Sequence, residues 1–257
     1  MFFIKLKDKC AIITGAASGN GKQTALLFAR EGAQLILGDI DDAAGEALAC
    51  ELRATGSEAV YVHCDVTQAE DDKNLVKQAL AHFGKLDILV NNVGIGLWGT
   101  IETLPVEQFD FLMRVNVRSV YLLSSYAVKA MRVNKAMCSI VNLSSAVGLI
   151  GCAGSAAYCA SKGAVSNLTR AMAIDHAQDG IRVNCVCPGV VDTPFNDAIV
   201  NAQQNPDEAK AGQAAGNLLG RLEQPEEVAK ACLFLASEDS SYCTGSMLMT
   251  DAGITAK

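Results

Sequence analysis

The chain is short of rings, prolines and basic residues, and each shortage narrows what it can be. Aromatics make up 5% of its 257 residues and prolines number 5, although hydrophobic residues reach 50%. The apolar content therefore sits in Ala, Val, Ile and Leu, which suits helices packed on a sheet better than a β-sandwich, and no Pro-rich linker divides the chain. Lys and Arg (21) are outnumbered by Asp and Glu (28), for a formal charge of -7. That sign opposes counterion-release binding, so neither nucleic acid nor a membrane surface is expected as a partner. Long hydrophobic runs are missing as well. Residues 136–161 carry no charge, but Ser139, Asn142, Ser144, Ser145 and Ser155 interrupt them too often for a span of about 20 apolar residues. The ten cysteines include no C-x-x-C pair; only Cys185 and Cys187 stand close, with no His near to complete a zinc set. No metal is expected, and the cysteines read as buried free thiols of a reducing compartment. The opening MFFIKLKDKC has the form of neither a signal peptide nor a transit peptide, so a cytoplasmic location is expected.

What the sequence does contain is a rhythm. Short apolar runs at 11–14, 34–38, 59–63, 86–90, 139–143, 182–187 and 247–250 alternate with stretches of helical periodicity at 22–31, 42–54, 69–83, 106–133, 156–179 and 225–237. Such alternation predicts βαβ units, and right-handed crossovers place the helices on both faces of the sheet. Thr67 standing three residues before Glu70 predicts a capping box, and Pro225-Glu226-Glu227 a first helical turn. With no internal boundary, residues 1–257 read as a single domain: a doubly wound α/β fold with a seven-stranded parallel sheet.

Directly after the first strand comes Thr14-Gly15-Ala16-Ala17-Ser18-Gly19-Asn20-Gly21, and a helix begins at once. This is the context of a dinucleotide-binding Rossmann fold: Gly15 permits the tight turn, Gly19 lets the backbone approach a pyrophosphate, and Gly21 allows close packing of the helix. Asp39 ends the second strand, 18 residues beyond Gly21, near the spacing at which an acid meets the adenosine ribose. A 2′-phosphate about 5 Å from its carboxylate would be repelled by roughly 3 kcal/mol per unit charge at an effective dielectric near 20. Ile40-Asp41-Asp42 supply no cation to offset this, so NAD is expected rather than NADP. A competing reading makes Asp39 the cap of the next helix, a task Asp41 or Asp42 could equally perform.

Tyr158 precedes Lys162 by four residues on a predicted helix, so both lie on one face. That spacing alone is unspecific. Taken with the glycine motif, Asn91-Asn92-Val93-Gly94, Asn116, Ser145 and Pro188-Gly189, it resembles the short-chain dehydrogenase/reductase family over nearly the whole chain. The resemblance implies catalysis by Asn116, Ser145, Tyr158 and Lys162. Tyrosine, with an ordinary pKa near 10, is a poor base at neutral pH, but a cation within ~4–6 Å can lower it by about 1–3 units. A Tyr158 phenolate would take the proton from an alcohol as hydride leaves its carbon, Ser145 would hold the developing carbonyl, and Lys162 would also hold the nicotinamide ribose. The resemblance further implies that Asn116 steadies a water relaying protons from Lys162. It assigns the cofactor to Gly15, Ser18, Gly19, Asn20, Gly21, Asp39 and Ile40, with Asp65 and Val66 at the adenine, Asn92 and Gly94 on the adenosine side, Tyr158 and Lys162, and Pro188, Gly189, Val191 and Thr193 at the carboxamide and phosphates. Departures from the family pattern are NNVG for NNAG, Asn20 for the common Ile, and Asp251-Ala252-Gly253 for DGG. None removes a reactive group.

The expected pocket comprises Gly96, Trp98, Ser145, Val147, Ala153, Tyr158 and Phe195, with residues 195–220 as a lid. Segments 95–98 and 146–155 carry no charge, which points to a neutral, hydrophobic secondary alcohol or ketone as the small-molecule partner. An NADPH-dependent 3-oxoacyl or carbonyl reductase, a sugar or polyol dehydrogenase, and a catalytically silent dinucleotide-binding scaffold are the alternatives. Trp98 is readable as a substrate platform or as a packing residue. His63, His82 and His176 have no triad partner in view. The resemblance implies a homotetramer paired through the helices at 106–133 and 156–179 and through the last strand.

Overall fold

The computed structural model describes residues 4–134 and 136–256; the apolar residues 1–3 lie outside them. Seven strands, β1 (Cys10–Thr14), β2 (Gln34–Asp39), β3 (Ala59–His63), β4 (Ile88–Asn91), β5 (Cys138–Leu143), β6 (Ile181–Pro188) and β7 (Met247–Thr250), form one sheet. Its order is β3-β2-β1-β4-β5-β6-β7, every pairing parallel. Between them run α1 (Gly19–Arg30), α2 (Asp42–Ala54), α3 (Ala69–Phe83), α4 (Val106–Met113), α5 (Ser119–Met131), α6 (Ala156–His176), α7 (Pro194–Asn201), α8 (Pro206–Gly216) and α9 (Pro225–Ala236).

Successive strand residues point to opposite faces, and both faces are covered. Ala11, Ile13, Ile88, Val90, Val141 and Leu143 pack with α1, α2 and α9 residues such as Phe28, Leu48 and Leu235. Cys10, Ile12, Leu89 and Ile140 pack on the other side with Leu75, Leu123 and Met172 of α3, α5 and α6. Strands buried on both sides are continuous apolar runs; β1 and β4 read that way up to their polar last residues, whereas β6 buries Arg182 and Asn184 within its run. The chain reverses its direction of winding between β1 and β4, so their carboxyl ends open a crevice, where ligands bind in such sheets.

The sequence reading is adjusted at several points. The helix expected over 106–133 is two α-helices joined through a π-turn, Arg114–Arg118. Thr67 does not cap α3: Gln68 holds the N-cap position, and the Thr67 N–H donates to the Asp65 carboxylate at 2.9 Å. At α9 the first turn is as expected, with the Gln224 N–H bonded to Glu227 Oε2 at 2.9 Å. The insertion after β6 is helical, as α7 and α8, and the fourth strand is Ile88–Asn91 rather than 86–90.

Asp72 on α3 is fully buried, and neither carboxylate oxygen has a hydrogen-bond partner among the described residues. Burial pushes its pKa up to about 7, and the opposing pull of Arg118 does not restore it. A carboxyl whose folded pKa is raised gives stability that is present below its unfolded pKa near 3.9 and is lost as pH climbs to about 7. Asp72→Asn should therefore raise unfolding stability by about 2 kcal/mol at pH 8 and leave it unchanged near pH 4, as read by urea denaturation.

Candidate active site

Beyond β1 the chain turns through Gly15 at φ +65°, and α1 starts four residues later. A Cβ on Gly21 would sit 1.9 Å from the Gly15 carbonyl oxygen, so the first turn of α1 closes onto the loop only because position 21 is bare. The loop is clamped from β4: the Asn92 side-chain amide donates to the carbonyls of Thr14 (2.9 Å) and Gly15 (3.2 Å). Asp39 reaches the loop from β2, Oδ2 accepting from the Ala17 N–H at 2.9 Å and Oδ1 from the Asp41 N–H at 3.0 Å. Asp41, not Asp39, caps α2, accepting from Ala44. The Asp39 carboxylate is thus part of the crevice wall, with Ile40 exposed beside it.

Around this loop stand the other residues expected to meet a dinucleotide. Ser18 occupies the N-cap position of α1 in extended backbone, and Asn20 Oδ1 is buried with no hydrogen-bond partner among the described residues. Val66 is buried next to Asp65, past the end of β3. Thr193, the N-cap of α7, comes close enough that a Cβ on Gly19 would touch it at 3.4 Å. Pro188 accepts from Ser145 Oγ at 3.4 Å, and Val191 is bridged to Glu223. Gly189 packs on the backbone of Asp251. Bare positions at 15 and 21 and amide dipoles at a helix N-terminus fit a dinucleotide pyrophosphate.

At the other end of the crevice α6 presents Tyr158 and Lys162 one turn apart. Lys162 is buried; its Nζ donates to the Leu143 carbonyl at 2.9 Å and lies 5.7 Å from the centre of the Tyr158 ring. Gly94 lies against it rather than at the glycine loop: a Cβ there would be 3.0 Å from Nζ. Asn116 sits in the π-turn, a local over-winding that recurs at functional sites. Its Oδ1 accepts from the Ile95 N–H (2.8 Å), and its Nδ2 donates to the Ile95 carbonyl (2.9 Å) and to Ser161 Oγ (3.1 Å). The amide is engaged at both ends, and it pins Ile95 rather than facing solvent.

Burial decides the charges of the pair. It pushes the Tyr158 phenol up to about 12, with a hydrogen bond from Ser145 pulling the other way, and it pushes Lys162 down to about 8. Desolvation of the phenol thus opposes the lowering expected from Lys162 together with an oxidised nicotinamide.

Aromatic residues roof the phenol. The Trp98 ring centre is 5.3 Å and the Phe195 centre 6.3 Å from that of Tyr158, and a Cβ on Gly96 would lie 2.7 Å from Trp98 and 2.9 Å from Phe195. Gly96, Trp98, Tyr158 and Phe195 therefore converge. Val147 follows Ser145 in a one-turn helix, whereas Ala153 stands on the exposed rim, where the Gly99 N–H meets the Gly154 carbonyl at 2.7 Å. Beside them α7 and α8 are joined by paired amides of Asn196 and Gln213 (3.0 and 3.1 Å), and Lys210 bridges Asp192 (2.6 Å) and Asp197 (3.3 Å).

Sequence reasoning missed a buried polar chain under the site. Ser124 and Asn142 both bond to Asn91 Nδ2, Asn142 donates to Thr169, and Ser144 donates to the Lys162 carbonyl at 2.9 Å and meets Ser166 Oγ at 2.8 Å. Asparagines inside apolar strand runs were its visible signal. Cys185 and Cys187 share a face as expected, their sulfurs 3.5 Å apart, and no metal-binding cluster occurs among the described residues.

The glycines separate by function in a way that can be measured. Gly21→Ala should weaken nicotinamide dinucleotide binding by at least about tenfold, on the order of 1.4 kcal/mol, in a fluorescence titration. Gly212→Ala on α8, whose Cβ meets nothing within 4 Å, should leave it unchanged.

Residues 15–255 match the family model described as enoyl-(acyl carrier protein) reductase. The chain is 42% identical over 252 residues to a cyclopentanol dehydrogenase of Comamonas sp. (strain NCIMB 9872), covering 98% of this chain and 99% of that protein. It is 41% identical over 253 residues to an uncharacterized oxidoreductase of Thermotoga maritima, covering 98% and 100%. The crystal structure of a short-chain type dehydrogenase/reductase from Mycobacterium marinum superposes with a TM-score of 0.93 at 34% identity, over 99% of this chain and 98% of that one. Sequence, fold and crevice agree: the chain belongs to the short-chain dehydrogenase/reductase family, oxidoreductases of CH–OH groups that bind a nicotinamide dinucleotide.

Proposed function

We propose that the protein interconverts a neutral, hydrophobic secondary alcohol and its ketone with NAD(H), with Tyr158 as general base and acid. The observation that carries this is the aromatic roof: Trp98 and Phe195 enclose the Tyr158 phenol, and the flanking segments 95–98 and 146–155 bear no charged side chain. Such a pocket favours an apolar ring or chain next to the reacting carbon and offers nothing to pair a phosphate or carboxylate. The likeness to a cyclopentanol dehydrogenase supports it.

Bound, the dinucleotide supplies the hydride acceptor and, when oxidised, a positive charge at the phenol. Tyr158 takes the hydroxyl proton at its phenolic oxygen, and Ser145 Oγ hydrogen-bonds the substrate oxygen as its carbonyl character grows. Lys162 stabilises the phenolate and holds the nicotinamide ribose. Asn116 acts through Ile95, fixing the segment that lies against Lys162. Gly15, Ser18, Gly19, Asn20 and Gly21 hold the pyrophosphate, Asp39 and Ile40 the adenosine ribose, Asp65 and Val66 the adenine, and Asn92, Gly94, Pro188, Gly189, Val191 and Thr193 complete the cleft. The α7–α8 pair closes over the substrate as a lid. Exposed Val106, Phe109, Tyr121 and Ile174 on α4, α5 and α6 serve a homotetramer interface. The reading places the protein in the cytoplasm; among the described residues no helix is long and apolar enough to cross a membrane.

Two measurements test this. Tyr158→Phe should lower turnover of secondary alcohols by more than about a thousandfold while NADH affinity, by fluorescence titration, stays close to wild type; surviving turnover would mean that another group is the base. Across a panel of cyclic and aryl secondary alcohols, kcat/KM with NAD should exceed that with NADP by on the order of 100-fold, from roughly 3 kcal/mol of repulsion between Asp39 and a 2′-phosphate. The opposite preference would overturn the cofactor assignment.

A further inference from the structure

Beneath the loop that runs from Pro188 to Thr193, two polar groups are shut off from solvent without a hydrogen-bond partner among the described residues. They are the carboxyl of Glu223, at both oxygens, and the hydroxyl of Thr250 at the end of β7. The Thr250 hydroxyl and the Gly189 N–H are nearby groups that favour a charge on Glu223, yet neither reaches bonding geometry. The main chain of Glu223 is stitched to the same loop. Its N–H donates to Val190 at 3.0 Å, its carbonyl accepts from Asp192 at 2.8 Å, and it pairs with Val191 as a parallel bridge. On the far side the loop has no slack, since a Cβ on Gly189 would lie 3.0 Å from Asp251 Cα. The loop is held between the Glu223 segment and the end of β7.

We propose that Glu223 is a positioning residue of the dinucleotide site, its buried carboxyl acting through the Pro188–Thr193 loop to set how tightly the dinucleotide is held. This rests on the reading of that loop as part of the dinucleotide cleft.

The electrostatics around the carboxyl give the proposal its sign. Asp251 faces it from the end of β7, and Glu227 and the Cys232 thiol face it from α9. The cation facing it, Arg221, is forked onto Glu227 by two bonds of 2.7 Å. Burial, with these acids adding to it, pushes Glu223 up to about 7. As a neutral acid it fills its place without strain on the loop. Ionised, it is a charge without a partner behind a loop that must meet an anionic ligand, and relief comes from water entry or displacement of the loop. Ligand binding and protonation of Glu223 therefore favour one another, and by linkage the effect is reciprocal. Dinucleotide affinity falls as pH rises through neutrality.

The test is a fluorescence titration with NADH, and with NADPH in parallel, on the full chain at about pH 6 and pH 8.5. Wild type should bind roughly fivefold more weakly at the higher pH, and Glu223→Gln, which keeps the shape and cannot ionise, should bind as wild type does at pH 6 with less than about a twofold change between the two. A wild type that binds with no pH dependence, or a variant that shifts in parallel with it because Lys162 or His63 carries the effect, overturns the role of Glu223 and leaves the proposed function standing. Failure of both dinucleotides to bind overturns the two together. Thermal unfolding of the ligand-free proteins adds a second readout. A raised folded pKa withdraws stability between the unfolded carboxyl pKa near 4.3 and about 7, so the variant should melt a few degrees above wild type at pH 8.5 and level with it near pH 4.5. Equal melting at both values counts against the proposal.

Discussion

Burying the ammonium of Lys162 is the constraint on which the rest of the site depends. An ion removed from water costs several kcal/mol unless it is met by a well-placed partner, and here that partner is the carbonyl at the end of β5. Reaching it requires α6 to lie close to the sheet, which the Ser144 hydroxyl secures by bonding the carbonyl of Lys162 itself. It also requires that nothing stand above the ammonium, so the segment after β4 crosses it with a glycine. Tyr158, one turn earlier on α6, is thereby delivered to the mouth of the crevice at a fixed distance from the charge.

Below this arrangement, Ser124, Asn91, Asn142 and Thr169 link α5, β4, β5 and α6 by side-chain hydrogen bonds within the apolar core. A satisfied buried network of this kind holds its members in one register. It makes the floor of the site rigid before any ligand arrives, the condition under which fixed dipoles stabilise a developing charge without reorganising. The roof is of another nature, built from Trp98 and Phe195 on loop and helix, both partly exposed.

Most of the frame was legible in the chain, because strands buried on both faces and helices with one apolar side write their periods directly into the residues. The Tyr158–Lys162 face and the tasks of Gly15 and Gly21 followed from helix geometry and from the absence of a Cβ. The π-turn did not, because one extra residue in a helical ladder hardly alters the hydrophobic period over 106–133. The α7–α8 pair was hidden because its cohesion comes from Asn196, Gln213 and Lys210 meeting partners 13 to 18 residues away, not from an apolar stripe. The effect of burial on Tyr158 and Lys162 was not legible for a related reason. Neighbouring charge can be inferred from spacing, whereas desolvation belongs to the assembled fold. Glu223 was invisible altogether, since Gly189 and Thr250, which define its surroundings, lie far from it along the chain.

The run from Asn91 to Ile95 has a consequence of its own. Asn91 joins the core network, Asn92 clamps the glycine loop, Gly94 makes room for the ammonium and Ile95 is gripped by Asn116. Four distant parts of the molecule thus take their relative spacing from five consecutive residues, and a single insertion there would put all four out of step. The α8 helix offers the contrast, since a Cβ at Gly212 or Gly216 would meet nothing within 4 Å. The molecule is accordingly divided by tolerance to change: new substrates can be accommodated by rewriting the rim and the helices after β6, while the reaction itself stays tied to a stretch that admits almost no variation in length.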